Sequence, residues 1–271
     1  MKKYLALFRY ELKTILSDAM NLFFLIYPFF MLAITGWLVP VLLARTGVDA
    51  STPGYGLQLL GVFTVVLAIG GFIMGALLGF SLLENKDEQT IKSIAVSPVS
   101  VQGYALFKTL YAYGFGVLGN LVMVGGLKLL ASDVYSFVVN DQLSFGLDAV
   151  SYIDILLFSI VSALIVPSIG GVFAALAKNK IEGFTLMKSS GILFIIPVLA
   201  IFDVFADGKQ YLLGFAPNFW PTKAFLTLAL SQGHDADLPY LGYLLMGSLY
   251  MIILGYISLR YFIKRSGAER T

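Results

Sequence analysis

The chain has 271 residues, of which 58% are hydrophobic and 13% charged, with a mean hydropathy of +0.86. A soluble domain carries about a quarter charged residues, so this composition belongs to an integral membrane protein. The net charge of +2 gives no basic face for nucleic acid, and the lack of cysteine excludes disulfides, thiolate metal sites and cysteine nucleophiles.

The first element is residues 1–18. Leu5, Phe8, Leu12, Ile15 and Leu16 share one helical face, with Lys2, Arg9 and Lys13 beside it. This pattern predicts an amphipathic helix lying at the inner membrane surface; a basic leader that only sets topology is the simpler alternative. Arg9, Glu11, Lys13 and Asp18 interrupt the region where a secretory signal needs its apolar core.

A helix rises about 1.5 Å per residue, so roughly 20 apolar residues cross a 30 Å hydrocarbon core. Six stretches qualify, at about 21–44, 57–83, 104–131, 152–177, 184–206 and 239–263. The remainder is too short for a soluble domain, so 1–271 reads as one all-α transmembrane domain. Of the 18 lysines and arginines, only Arg45, Lys128, Lys209 and Lys223 fall on the side opposite the N-terminus. The excess of basic residues marks the cytoplasmic side, which puts both termini in the cytoplasm.

Span 1 carries Pro28. Span 2 carries Gly71, Gly75 and Gly79 at four-residue spacing, widened by Gly70. Such a stripe admits close helix packing, inside the subunit or across a dimer interface. Asn120 lies mid-span 3 and calls for a bond to a neighbouring helix, because an unpaired polar group in hydrocarbon is costly. Residues 132–151 read as an outer loop with some helix. Pro167, Gly170 and Gly171 weaken span 4, and Pro197 interrupts span 5; the default is static bends. Between spans 5 and 6, two apolar pieces, Tyr211–Phe215 and Ala224–Leu230, flank Pro217-Asn-Phe-Trp-Pro221. Each is too short to span, which predicts a re-entrant or interfacial outer hairpin, with an ordinary surface loop as the alternative.

Catalytic chemistry is hard to find. The single histidine, His234, stands beside Asp235 and Asp237 in an outer loop, where solvation is the ordinary role. There is no His-Glu-x-x-His pair, no Gly-x-Ser-x-Gly elbow and no Gly-x-x-x-x-Gly-Lys-Ser/Thr phosphate loop. No catalytic, cofactor-binding or metal-binding residue is assigned, and the chain has no nucleotide-binding motif of its own. The charged residues Lys108, Lys128, Asp154, Lys188 and Asp203 fall near predicted span ends. An ion-coupled carrier ordinarily needs a charge at depth.

The junction between spans 2 and 3, Glu84 to Ser100, is short and polar. Ile91, Ile94 and Ala95 recur at i, i+3 and i+4. The residue before a proline disfavours helix, so Pro98 stops the element near Ser97, and the acidic start suits a helix N-terminus. The pattern describes a cytoplasmic docking helix; a solvated loop with no partner is the alternative.

This junction resembles the inner loop of permease subunits of type-2 ATP-binding-cassette exporters. Thr90, Ser97, Pro98, Val99 and Ser100 stand at that family's intervals, and Tyr104 and Lys108 follow downstream. Gln89 stands where a glycine is usual, and Lys92 where a glutamate is usual. Lys178-Asn-Lys-Ile-Glu-Gly183 is similar to the family's second inner loop, and the order of elements matches along the whole chain. The resemblance implies a multi-pass subunit of a bacterial or archaeal cytoplasmic membrane. It would pair with a second permease subunit, of the same or a different chain, and with separate ATPase subunits that bind ATP and Mg. Glu84, Asp87, Glu88, Thr90, Ile91, Ile94, Ala95, Ser97 and Pro98 would form the coupling helix. The cargo would be amphipathic: a drug, a peptide or a lipid-like molecule. An ion-coupled secondary carrier and a non-transport membrane scaffold or immunity factor are the competing classes.

Overall fold

A computed structural model describes residues 2–45, 47, 54–87, 101–140, 143–231 and 236–265. Over these residues the polypeptide is almost wholly helical, and six of the described helices are long and apolar enough to cross a membrane: Ala19–Arg45, Tyr55–Asn85, Gln102–Ala131, Tyr152–Leu176, Lys180–Ile201 and Tyr240–Arg265. Of the predicted boundaries, those of span 5 move furthest, because its regular helix starts at Lys180 and its 3-10 continuation ends at Ile201, where Phe202 turns extended.

Helix α1 (Lys2–Ser17) ends where Asp18 takes an extended backbone and caps the next helix, its side chain accepting from the Asn21 N–H at 2.8 Å. Span 1 is α2 (Ala19–Ala33), a π-helical turn (Ile34–Leu38) and α3 (Val39–Arg45). Span 2 is the long helix α4 (Tyr55–Asp87). Span 3 is α5 (Val101–Asn120), a second π turn (Leu121–Gly125) and α6 (Gly126–Ala131). The two π turns lie in adjacent spans, where Leu32 of span 1 closes on Gly126 of span 3. π turns leave carbonyls without their regular partners, and Tyr135 donates to one of these, the Thr35 carbonyl, at 2.9 Å. Burial pushes the Tyr135 phenol well above its usual range, so it stays a donor.

Span 4 splits into α7 (Tyr152–Ala163) and α8 (Val166–Leu176) just ahead of Pro167. Its start is fixed by a capping box between Ser151 and Asp154. Span 5 begins as α9 (Lys180–Ser190) and continues as an eleven-residue 3-10 helix, Gly191–Ile201, through Pro197. Span 6 is α11 (Tyr240–Arg265), preceded by the short helix α10 (Phe219–Ala229).

Span 2 is the hub. Its central window is 78% buried, whereas that of span 5 is 6% buried, so span 5 is peripheral. The glycine stripe explains how span 4 closes on the hub. A Cβ on Gly71 would meet Ile165, one on Gly75 would meet Ile169, and one on Gly79 would meet Phe173. Within the subunit, therefore, span 4 occupies the stripe. Gly70 likewise leaves room for Asn120, whose Nδ2 finds no hydrogen-bond partner among the described residues.

Residues 132–151 hold the expected loop with some helix, a 3-10 turn at Leu147–Ala149, but also strands outside that expectation. They form an antiparallel hairpin, β1 (Ser136–Val138) with β2 (Ser144–Gly146). The reason is a period-2 pattern too short to stand out in sequence. Phe137 and Phe145 point inward between more exposed neighbours and stack at 5.1 Å, and Phe145 packs on Phe63 of span 2 at 5.0 Å. At this same end, the segment between spans 5 and 6 forms a 3-10 helix (Asp207–Phe215) and α10, joined through Ala216–Asn218. Phe219, Ala224 and Phe225 of α10 are fully buried against the bundle.

Candidate functional site

The end of the bundle opposite the hairpin carries α1, the last turns of span 2, the first turns of span 3 and the loop leading into span 5. These elements flank the stretch from Glu88 to Ser100, which lies outside the described residues. Of the predicted coupling residues, Glu88, Thr90, Ile91, Ile94, Ala95, Ser97 and Pro98 fall in that stretch. Glu84 is described in full, and Asp87 closes the backbone of α4.

What holds the two flanks is a buried polar network that the sequence reading did not assemble. Ser81 and Asn85 share one face of span 2 at i, i+4; Tyr104, Lys108 and Tyr111 share one face of span 3 at i, i+4, i+7. Glu11 of α1 enters between them. Lys108 Nζ lies 3.2 Å from Glu11 Oε2, with both side chains only 3% exposed. The ammonium also donates to Ser81 Oγ at 2.7 Å and to the Ser81 carbonyl at 3.0 Å. Tyr104 donates to Glu11 Oε1 at 2.6 Å, and Tyr111 donates to Oε2 at 3.4 Å. Asn85 Nδ2 donates to the Tyr104 hydroxyl and to the Ser81 carbonyl, each at 3.0 Å.

A buried ion pair is sustained only when further hydrogen bonds meet its remaining donors and acceptors, and removing one partner costs about 3–5 kcal/mol. The tyrosines and Ser81 supply those bonds here. The signal was present in the sequence. Glu11 stands three residues after Phe8 and four before Ile15, on the apolar edge of α1. An acid in that position demands a buried cation, and Ile15 beside it is 2% exposed. The apolar edge of α1 accordingly rests in part on the bundle, with Phe8 and Ile15 packed into the core shared by spans 2, 3 and 4.

A second tie comes from the loop before span 5. Asn179 caps α9 by accepting from the Glu182 N–H at 2.9 Å, and Glu182 reaches back to the Lys178 N–H at 2.8 Å. These two bonds, one to the cap residue and one from the residue before it, are the physical content of the Lys178–Gly183 motif. It aims Lys180 at Glu84, 2.8 Å away, and at Asp18, 3.6 Å away. Gly183 then packs on Phe80 and Leu83, where a Cβ would sit 3.0–3.1 Å from their side chains. Lys180 is more than a third exposed, so this pair orients rather than stabilises.

Together, α1 and the span-5 loop tie the last turns of span 2 and the first turns of span 3 into one block. No cluster of three or more metal-ligating side chains occurs among the described residues, and His234 falls outside them.

The opposite end holds its own buried pair. Lys223 Nζ of α10 lies 3.1 Å from Asp237 Oδ1, with side chains 6% and 11% exposed. Gln210 donates to the same oxygen at 2.8 Å, and the Tyr243 hydroxyl lies 3.2 Å from it. Two of the lysines assigned to span ends or the outer side by sequence, Lys108 and Lys223, are thus buried and paired.

Comparison with known proteins returns no match among curated proteins or solved structures. A family model does match, over residues 11–259, described as "Fluoroquinolones export permease protein Rv2686c-like". That interval takes in Glu11, all of spans 1 to 5, both buried ion pairs and most of span 6. The chain is a multi-pass membrane protein and belongs to the Rv2686c-like fluoroquinolones export permease family.

Proposed function

We propose that this chain is the membrane-spanning subunit of an ATP-driven exporter, working as a permease pair with separate ATPase subunits. The observation that carries the proposal is the clamped block: Glu11 and Lys108 hold α1 to span 3, and Lys180 holds the span-5 loop to the end of span 2. A rigid block around a short polar junction suits a segment that must receive work from a soluble partner. On this reading the 84–98 segment is the coupling helix, with Ile91, Ile94 and Ala95 as its apolar docking edge, and its end of the bundle faces the cytoplasm. ATP and Mg are bound by the partner. A ligand shifts a conformational equilibrium only by its differential affinity for the two states, and nucleotide-driven closure of the ATPase supplies that difference.

The family description names fluoroquinolones. A fluoroquinolone is an aromatic bicycle bearing a carboxylate, so it fits the amphipathic cargo expected from the apolar spans. The working site is a cell membrane.

The test is co-purification and transport. Ile91→Glu and Ile94→Glu place a charge on the docking edge. Each is expected to abolish recovery of the ATPase with the permease and ATP-dependent fluoroquinolone export from vesicles. Undiminished assembly and export in both variants contradict the proposal, and so does export by the permease reconstituted without any ATPase.

A further inference from the structure

The second half of span 5 is a 3-10 helix of eleven residues, Gly191–Ile201. Runs beyond three or four residues are uncommon because the hydrogen-bond geometry is poorer than in an α-helix. Something must favour this one, and Pro197 creates the opening. Proline has no N–H. In a 3-10 helix each carbonyl is met by the N–H three residues on, so Pro197 orphans the carbonyl of Phe194. In an α-helix the orphan would instead be the carbonyl of Leu193, against which the proline ring would also press.

The orphan of the 3-10 form has a dedicated partner. Asn218 is 3% exposed and sits at the corner between the 207–215 helix and α10. Its Nδ2 donates to the Phe194 carbonyl at 2.7 Å and to the Ala68 carbonyl of span 2 at 3.1 Å. Two carbonyls facing one end of the amide require the NH₂ group there, which fixes its orientation. Among the described residues the Oδ1 end has no partner, so the donor end sets the position of the side chain. The aromatic rings of Phe72 on span 2 and Phe194 on span 5 lie 4.3 Å apart beside it. Pro197 is the buried residue of the 3-10 run, so the bend and its satisfier face the hub together.

We propose that Asn218 is a positioning residue for export. Its side-chain amide answers the carbonyl left open by Pro197, holds span 5 in its extended 3-10 form, and bolts it to span 2 at Ala68. Displacement of span 2, the helix that leads into the junction, then carries the peripheral span 5 with it. The word export rests on the exporter reading above; the latch itself does not.

The rise per residue is about 2.0 Å in a 3-10 helix and 1.5 Å in an α-helix, so conversion of the eleven-residue run shortens it by about 5 Å. The chain has no cysteine, and Ile192 and Val204 are both 72% exposed. Spin labels at Ile192→Cys and Val204→Cys, read by pulsed electron resonance on the purified full chain, report that length. Asn218→Leu is expected to shift the population to a distance shorter by about 5 Å. In a Pro197→Ala background, where residue 197 regains an N–H, Asn218→Leu is expected to add no further change. Asn218→Ser keeps one donor and gives an intermediate population if the leucine variant fails to fold.

An unchanged distance in Asn218→Leu, or in Asn218→Ser where only the serine variant folds, overturns the latch. The same added shortening with and without Pro197 also overturns it. A second readout separates positioning from folding. Asn218→Leu is expected to retain ATPase co-purification while ATP-driven fluoroquinolone export falls at least tenfold; full export at the shortened distance overturns the positioning role. The distance is read on the chain alone, so failure of the exporter reading leaves it standing, and failure of the latch leaves ATPase docking untouched.

Discussion

Glu11 and Lys108 meet at 3.2 Å in the protein interior, one from the N-terminal helix and the other from the start of span 3. Their contact converts an apparently peripheral amphipathic helix into a strut of the bundle. It also brings α1 to both flanks of the junction, because Lys108 bonds Ser81 on span 2 as well.

The first prediction concerns that pair. Glu11→Leu removes the carboxylate beside the buried Lys108 and is expected to cost about 3–5 kcal/mol. Lys108→Met should cost a similar amount. The double variant Glu11→Leu/Lys108→Met should recover much of the loss, since well-packed apolar substitutes for a buried pair are often neutral. Thermal unfolding of the four chains in one detergent gives the interaction energy; additive losses contradict the pairing.

The second concerns the glycine stripe. A Cβ on Gly75 would sit 2.5 Å from Ile169. Gly75→Val is expected to force spans 2 and 4 apart and cost about 1–3 kcal/mol or more by overpacking. Gly114 has open space where its Cβ would go, so Gly114→Ala should be neutral or stabilising by up to about 1 kcal/mol. Matching melting temperatures for the two variants would contradict the packing.

The third contrasts with the first. The Lys180–Glu84 pair is partly exposed, so Lys180→Ala should change stability by less than about 1 kcal/mol. Its expected effect is on coupling. Cargo-stimulated ATP hydrolysis by the assembled complex should fall while the melting temperature barely moves. A large loss of stability with intact stimulation is the opposite result.

The fourth lies at the hairpin end. Lys223→Met removes the ammonium 3.1 Å from the buried Asp237 carboxylate, beside the neutral Gln210 and Tyr243, and is expected to cost about 3–5 kcal/mol. Adding Asp237→Asn should restore a large part of it. Proteolysis of the detergent-solubilised chain at rising temperature would read both variants.

Much of this architecture was legible because bilayer thickness dictates span length: every predicted span overlaps an observed helix, and Pro167 and Pro197 both mark departures from α-helix. The glycine stripe announced close packing but not its partner, since spacing alone does not choose between span 4 and a second subunit. The β1–β2 hairpin escaped because three-residue strands carry one alternation each, and Phe137 and Phe145 read equally well as loop aromatics. The polar network escaped for a different reason. Lys108 counted as a charge near a span end and Glu11 as an interruption in an amphipathic helix, and only the fold brings them together. Glu11 on the apolar edge between Phe8 and Ile15 was the clue.

The central claim is that the segment between spans 2 and 3 receives mechanical work from a separate ATPase. The direct measurement is photocrosslinking in living cells from a probe installed at Ile91 or Ile94, with the captured partner identified by mass spectrometry. The account predicts a crosslink to a nucleotide-hydrolysing subunit, lost when Glu is placed at the neighbouring apolar position. Crosslinks to lipid alone, in cells that export normally, would contradict it.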